Sequence, residues 1–283
     1  MSVIWDGADP LAQSGQSLIV SKHANHVKTW SEILNAGEFP ARWEEILQQN
    51  VRFDRFLTDE DRRELRSYIR WFISSKEFEG CEGLVITDQV RVTVAAQACL
   101  LLLHRKTPCY ERLRLIRIYP GYDFAVSSER KHSGECWQHG IILLSWDSVG
   151  AGAANPFDGD NLVLHEFAHQ LDHEDGKPDG IPLLSRGMTP SDAVGAYALW
   201  ARMLSTEYED FCIRINRGDK TVMDSYGTTN PTEFFAVATE CFFEKPRQLR
   251  RKRPELYGAL KEFYNQDPAS WPTPGAEQKP SSL

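Results

Sequence analysis

In the stretch NLVLHEFAHQLDHEDG, residues 161–176, His165 and His169 stand four apart, with Glu166 directly after the first. On a helix that spacing projects both imidazoles from one face, about one turn apart, so both can reach a single cation. Glu166 then lies beside the ion, placed to take a proton from a bound water. This is the H-E-x-x-H arrangement, and its chemistry is metal-assisted hydrolysis. The neighbours Leu162, Val163, Leu164, Phe167 and Leu171 turn the segment toward a core, where imidazoles and carboxylates need partners. The alternative is a pair of core histidines satisfied by nearby carbonyls.

A hydrolytic zinc site takes three protein ligands and keeps one position open. The longer H-E-x-x-H-x-x-G-x-x-H pattern is absent, because Asp172 and Asp175 stand at its glycine and last histidine. His173 lies eight residues beyond His165, roughly 12 Å along a helix axis. It cannot share the ion on an unbroken helix and reads as a surface residue or a support for the ligands. Asp172 is equally a support or a charged helix end.

Better candidates for the third ligand lie in SYGTTNPTEFFAVATECFFE, residues 225–244. Asn230 suits a helix N-cap and Pro231 the first helical position, which makes Glu233 the third. Glu233 can close a capping box with Asn230. It can also face the interior of a helix this apolar, where it would need a cation or donors. Glu240, seven residues on and on much the same face, is the other candidate ligand, or an acceptor for a ligand histidine's N–H. Spacing leans toward Glu233 and leaves Glu240 open.

The elements that must carry these residues are mostly helical. LTDEDRRELRSYIRWFISSK predicts a helix capped by Thr58, with Leu65, Tyr68, Ile69, Phe72 and Ile73 as its apolar stripe. TDQVRVTVAAQACLLLLH predicts a second, buried nearly all round and capped by Thr87 or Asp88. Short β-like runs follow at 113–120 and 140–146, with GECWQH pairing nearby, and further helices cover about 190–214, 230–244 and 253–268. Helices flanking a few strands predict an α+β fold with a small mixed sheet. Residues 1–25 and 269–283 read as flexible ends around one domain at 26–268.

Composition excludes several classes. The hydrophobic and charged fractions, 41% and 25%, are ordinary for a globular protein. No apolar run approaches the roughly 20 residues of a membrane span, and the first residues carry no secretory pattern, which predicts a cytoplasmic protein. Cys81, Cys99, Cys109, Cys136, Cys212 and Cys241 form no CxxC pair and are expected as reduced, mostly buried thiols. A net charge of −8 argues against general nucleic-acid binding. One basic run, KPRQLRRKR at 245–253, goes the other way, as a solvated loop or helix end, or as a partner-binding patch.

NLVLHEFAHQLDHEDGKPDGIP and SYGTTNPTEFFAVATECFFEKP together resemble the Mlc titration factor A family of bacterial zinc metallopeptidases. Supporting matches extend the resemblance over about residues 30–270. The SYGTTNPTEFFA portion also resembles the catalytic domain of anthrax lethal factor. The resemblance implies a zincin-like domain of the gluzincin type, with His165, His169 and Glu233 as zinc ligands and Glu166 as general base. It implies that Tyr226 hydrogen-bonds the oxyanion formed from the substrate, where a phenol donates to charge that develops only in the transition state. It further implies aminopeptidase-like cleavage of small peptides and binding of a glucose-responsive transcriptional repressor. A regulatory protein whose zinc site is structural or latent is the rival reading.

Overall fold

The computed structural model describes residues 37–105, 110–121, 140–182 and 190–272. Helix α1, Ala41–Asn50, leads into α2, Asp59–Ser75. Thr58 caps α2 by accepting from the Asp61 amide, and the Asp61 carboxylate accepts from the Thr58 amide in return. Leu65, Tyr68, Ile69 and Phe72 bury one stripe of α2 as expected, while Ile73 packs against the core from its edge.

Strand β1, Glu77–Gly80, is followed by α3, Asp88–Leu100, then β2, Leu115–Tyr119, and β3, Ile141–Ser145. The sheet runs in the order β1-β2-β3, and both pairings are parallel. A mixed sheet was expected; among the described residues every pairing is parallel, and α3 is the crossover that parallel β1 and β2 require. α3 meets neighbours on all sides and buries every residue from Val92 to Leu100, so its β-branched first half is tolerated by packing rather than favoured by propensity. Thr87 rather than Asp88 is its cap. The GECWQH segment lies outside the described residues.

A helix absent from the sequence reading, α4, spans Trp146–Ala154. Its glycines weaken it as a helix, but a Cβ on Gly152 would stand 2.8 Å from the Asn161 side chain. Helix α5, Leu162–Asp172, carries the two histidines and packs on α7, Pro231–Glu244. Between them runs α6, Pro190–Asn216. α8, Pro246–Lys252, and α9, Pro254–Tyr264, complete the described chain, with Trp271 stacked beyond them on Phe56. The basic run is thus a short helix held inward by buried Leu249, with Arg247, Arg250, Arg251 and Lys252 exposed.

One continuous hydrophobic core joins these helices to the inner residues of the sheet. Phe167 of α5 meets Tyr110 edge-on at 4.9 Å and Phe72 of α2 at 5.6 Å between centroids, which anchors the histidine helix. Cys81, Cys99, Cys212 and Cys241 are free thiols, with Cys99 and Cys241 buried. No helix among the described residues is long and apolar enough to cross a membrane.

Candidate metal centre

Asn161 begins the site. Its side chain accepts from the Leu164 amide at 3.1 Å and caps α5, and its carbonyl accepts from the His165 amide at 2.9 Å. The helix then presents His165 and His169 one turn apart on the face that meets α7. Their rings stand 4.8 Å apart and nearly perpendicular, and the two Nε2 atoms approach to 3.1 Å.

Glu233 arrives from α7. Asn230 caps that helix by accepting from the Glu233 amide at 2.9 Å, with Pro231 at the first position, as expected. The Glu233 carboxylate points to the histidines. Its Oε2 lies 3.0 Å from His165 Nε2 and 3.3 Å from His169 Nε2. His165, His169 and Glu233 therefore offer one ligand atom each around a common point. Three donors about 2.1 Å from a tetrahedral zinc would sit about 3.4 Å from one another. The observed separations of 3.0 to 3.3 Å lie close to that spacing.

Glu240 is the acceptor behind the first histidine. Its Oε1 lies 2.8 Å from His165 Nδ1, and its Oε2 accepts from the Asn161 amide at 2.5 Å. A carboxylate on the far nitrogen fixes both the ring and its tautomer, leaving Nε2 directed at Glu233. Spacing left Glu240 open as a ligand; here it touches His165 from the opposite side.

Asp172 is buried at the end of α5, and its Oδ2 accepts from the Gly180 amide at 2.9 Å. Gly180 has φ +78°, and a Cβ there would stand 2.6 Å from the Pro231 carbonyl oxygen. The end of the histidine helix is thereby tied to a loop pressed against the start of α7. Asp172 is a support rather than a solvent-facing helix end. His173 follows in a 3-10 extension, half-buried and past the turn that carries the donors.

The electrostatics of the cluster follow from burial and from the pairing of imidazoles with carboxylates. Burial opposes charge on His165, but Glu233 and Glu240 outweigh it and hold its pKa well above the ordinary value. Burial holds His169 down at about 4, against the pull of Glu233. Burial also pushes Glu233 up, yet the two imidazoles bring it to about 2. A cation bound at this cluster would compete with protons for the same donor atoms.

Glu166 sits in the middle of α5, 8% exposed, and its charge is close enough to favour protonated His165. Tyr226 lies on a 3-10 turn, Ser225–Thr228, positioned by the Asp224 carboxylate accepting from the Tyr226 amide at 2.7 Å. Its ring is 6.0 Å from the His165 ring and 55% exposed, so the phenol borders the donor cluster from the solvent side.

The sequence reading missed Glu244, Asn161 and Gln97. Glu244 Oε1 accepts from Asn161 Nδ2 at 3.0 Å, and its Oε2 accepts from the amides of Gly159 and Asp160. Asn161 Nδ2 also donates to Gln97 Oε1 at 3.0 Å, and Gln97 donates onward to the Val149 carbonyl. A signal existed: Glu233, Glu240 and Glu244, at spacings of seven and four, share one face of an otherwise apolar helix.

Two imidazoles and a carboxylate converging between packed helices are a donor set suited to divalent zinc-like metals. The chain belongs to the glucose-regulated metallo-peptidase M90 family, whose model matches residues 24–265. It is 36% identical over 242 residues to an uncharacterized protein of Synechocystis sp., covering 81% of this chain and 85% of that one. It is also similar to Mlc titration factor A of Pectobacterium atrosepticum, 29% identical with 75% and 82% covered. The protein of the same name from Serratia proteamaculans is 29% identical, with 84% and 92% covered.

Proposed function

We propose that this chain is a cytoplasmic zinc metallopeptidase of the gluzincin type, with aminopeptidase-like action on small peptides. The observation that carries the reading is the convergence of His165 Nε2, His169 Nε2 and Glu233 Oε2 within 3.0 to 3.3 Å of one another. His165, His169 and Glu233 would hold the zinc. When bound, the ion supplies Lewis acidity, polarising the scissile carbonyl and lowering the pKa of water. Glu166 takes the proton of the attacking water and passes it to the leaving amine. Tyr226 donates its hydroxyl to the oxyanion as charge develops there. Glu240 keeps His165 in one tautomer throughout. A substrate strand would add to the sheet beside β3, which pairs on one side only among the described residues; of the 133–145 edge proposed for it, residues 133–139 lie outside the described residues.

The first experiment is zinc content by mass spectrometry on purified chain beside His169→Ala and Glu233→Gln. One zinc per chain, lost or sharply reduced in both variants, supports the site. No zinc after reconstitution under reducing, chelator-free conditions would end the hydrolytic reading.

The name of the Pectobacterium and Serratia relatives, Mlc titration factor A, favours a second role, which the sequence resemblance implies to be capture of a glucose-responsive transcriptional repressor. In that role the zinc would chiefly tie α5 to α7. A Glu166→Gln chain that keeps its zinc and its regulatory effect while losing turnover would separate capture from cleavage.

A further inference from the structure

Glu244, the last residue of α7, is eleven positions from Glu233, roughly 16 Å along the helix axis. There α7 and α8 border a cleft of about 410 Å³. Four rings line it, from Phe56, Phe157, Phe243 and Trp271, and Arg247 and Arg251 stand at its edge. The rings pack against one another, Phe56 on Phe157 at 5.8 Å and Phe56 on Trp271 at 6.4 Å. Phe157 nevertheless remains 43% exposed. Arg247 Nη2 donates to the Trp271 carbonyl at 2.5 Å, which ties the basic helix to the aromatic wall.

The charge around this cleft is opposite to that of the molecule. The chain carries −8 overall, yet α8 exposes Arg247, Arg250, Arg251 and Lys252 within one and a half turns. Two of the acids nearby are already engaged, while Asp160 beside Glu244 stays exposed. Asp158 accepts from the Asn155 amide group, and Asp267 accepts from Tyr257 and Lys261. Burial and the neighbouring Asp158 push Glu244, which lines the cleft, up to about 9 and so favour its neutral form.

We propose that this cleft docks an acidic segment of a partner protein, seating one large apolar side chain among the four rings and laying flanking carboxylates along α8. The rings supply a desolvated socket of the kind that anchors an interface, and the guanidinium groups pair with carboxylates in forked geometry. A long polyanion such as nucleic acid is disfavoured by the acidic remainder of the surface. A short acidic segment mainly senses charges within about 8–10 Å, where α8 dominates. The basic run at 245–253 gains by this a role that the metal site does not give it.

The test is fluorescence anisotropy of a short fluorescein-labelled peptide, a central phenylalanine flanked by glutamates, titrated with the whole chain. Saturable binding is expected, weakened about tenfold by Phe157→Ala, by Arg250→Glu with Arg251→Glu, or by alanine at the peptide's phenylalanine. Phe157, Arg250 and Arg251 are exposed, so circular dichroism and zinc content should match the parent chain. No saturable binding, binding indifferent to these changes, or equally tight binding of a single-stranded oligonucleotide would overturn the proposal. Anisotropy needs no turnover, so failure here and failure of the hydrolytic reading are separate results.

Discussion

Replacing Asn161 by alanine tests how far the metal centre depends on the buried network behind it. The side chain is almost wholly buried and makes three bonds: from the Leu164 amide to Oδ1, and from Nδ2 to Gln97 Oε1 and Glu244 Oε1. Loss of the cap costs about 1 kcal/mol. Gln97 is fully buried and its Oε1 loses the Asn161 donor, a desolvation cost of about 1–3 kcal/mol. Glu244 keeps the Gly159 and Asp160 amides, so its loss is nearer that of one hydrogen bond, about 1 kcal/mol. The total is roughly 3–5 kcal/mol, equivalent to a fall in Tm of about 5–8 °C in a chain of this size. Asn161→Ser keeps an acceptor for Leu164 and should recover about 1 kcal/mol of it.

The assay is chemical denaturation of metal-free chain, repeated after zinc loading, because ligand binding adds stability of its own. The backbone bonds from Asn161 to Glu240 and from His165 to Asn161 survive the substitution, so the donors should still bind zinc, more weakly. A loss below about 1 kcal/mol in the metal-free chain would mean that the network carries little of the load assigned to it.

Glu166→Gln should keep zinc and lose turnover by about 10²–10⁴-fold, read by peptide hydrolysis beside metal analysis; normal turnover with zinc retained refutes the proton-transfer role. Tyr226→Phe should cost about 10²–10³-fold in kcat, with thermal stability unchanged because the residue is largely exposed; a marked drop in Tm instead would mark it as structural. Glu244 is raised to about 9 in the fold, above its unfolded value of 4.5. The folded chain therefore holds a proton that the unfolded chain has released, and stability from this group, complete below pH 4.5, is lost progressively as pH rises toward 9. Glu244→Gln should flatten that decline in denaturation curves of metal-free chain; an unchanged slope would show that Glu244 is ionised in the fold.

The two histidines were legible because they share a helix, whereas spacing alone left Glu233 and Glu240 both open as the third candidate donor. His165 and His169 need only the helical repeat, and Asn230-Pro231 sets Glu233 on the first turn of α7. What periodicity cannot supply is which helix lies opposite which. Glu240 meeting His165 Nδ1 depends on α5 and α7 packing face to face, and so does the bond from Asn161 to Glu244. The parallel pairing of β1 was hidden for a similar reason: EFEG is only four residues long and has no β-branched residue, and only the neighbouring β2 makes it a strand. α4 was hidden by its glycines, one of which exists to admit Asn161. A residue type that weakens its own element is thus explained by the cap of another, and that cap begins the helix bearing both histidines. The local penalty at Gly152 and the placing of His165 are two ends of one packing constraint, so enlarging residue 152 should disturb the metal centre without touching any donor.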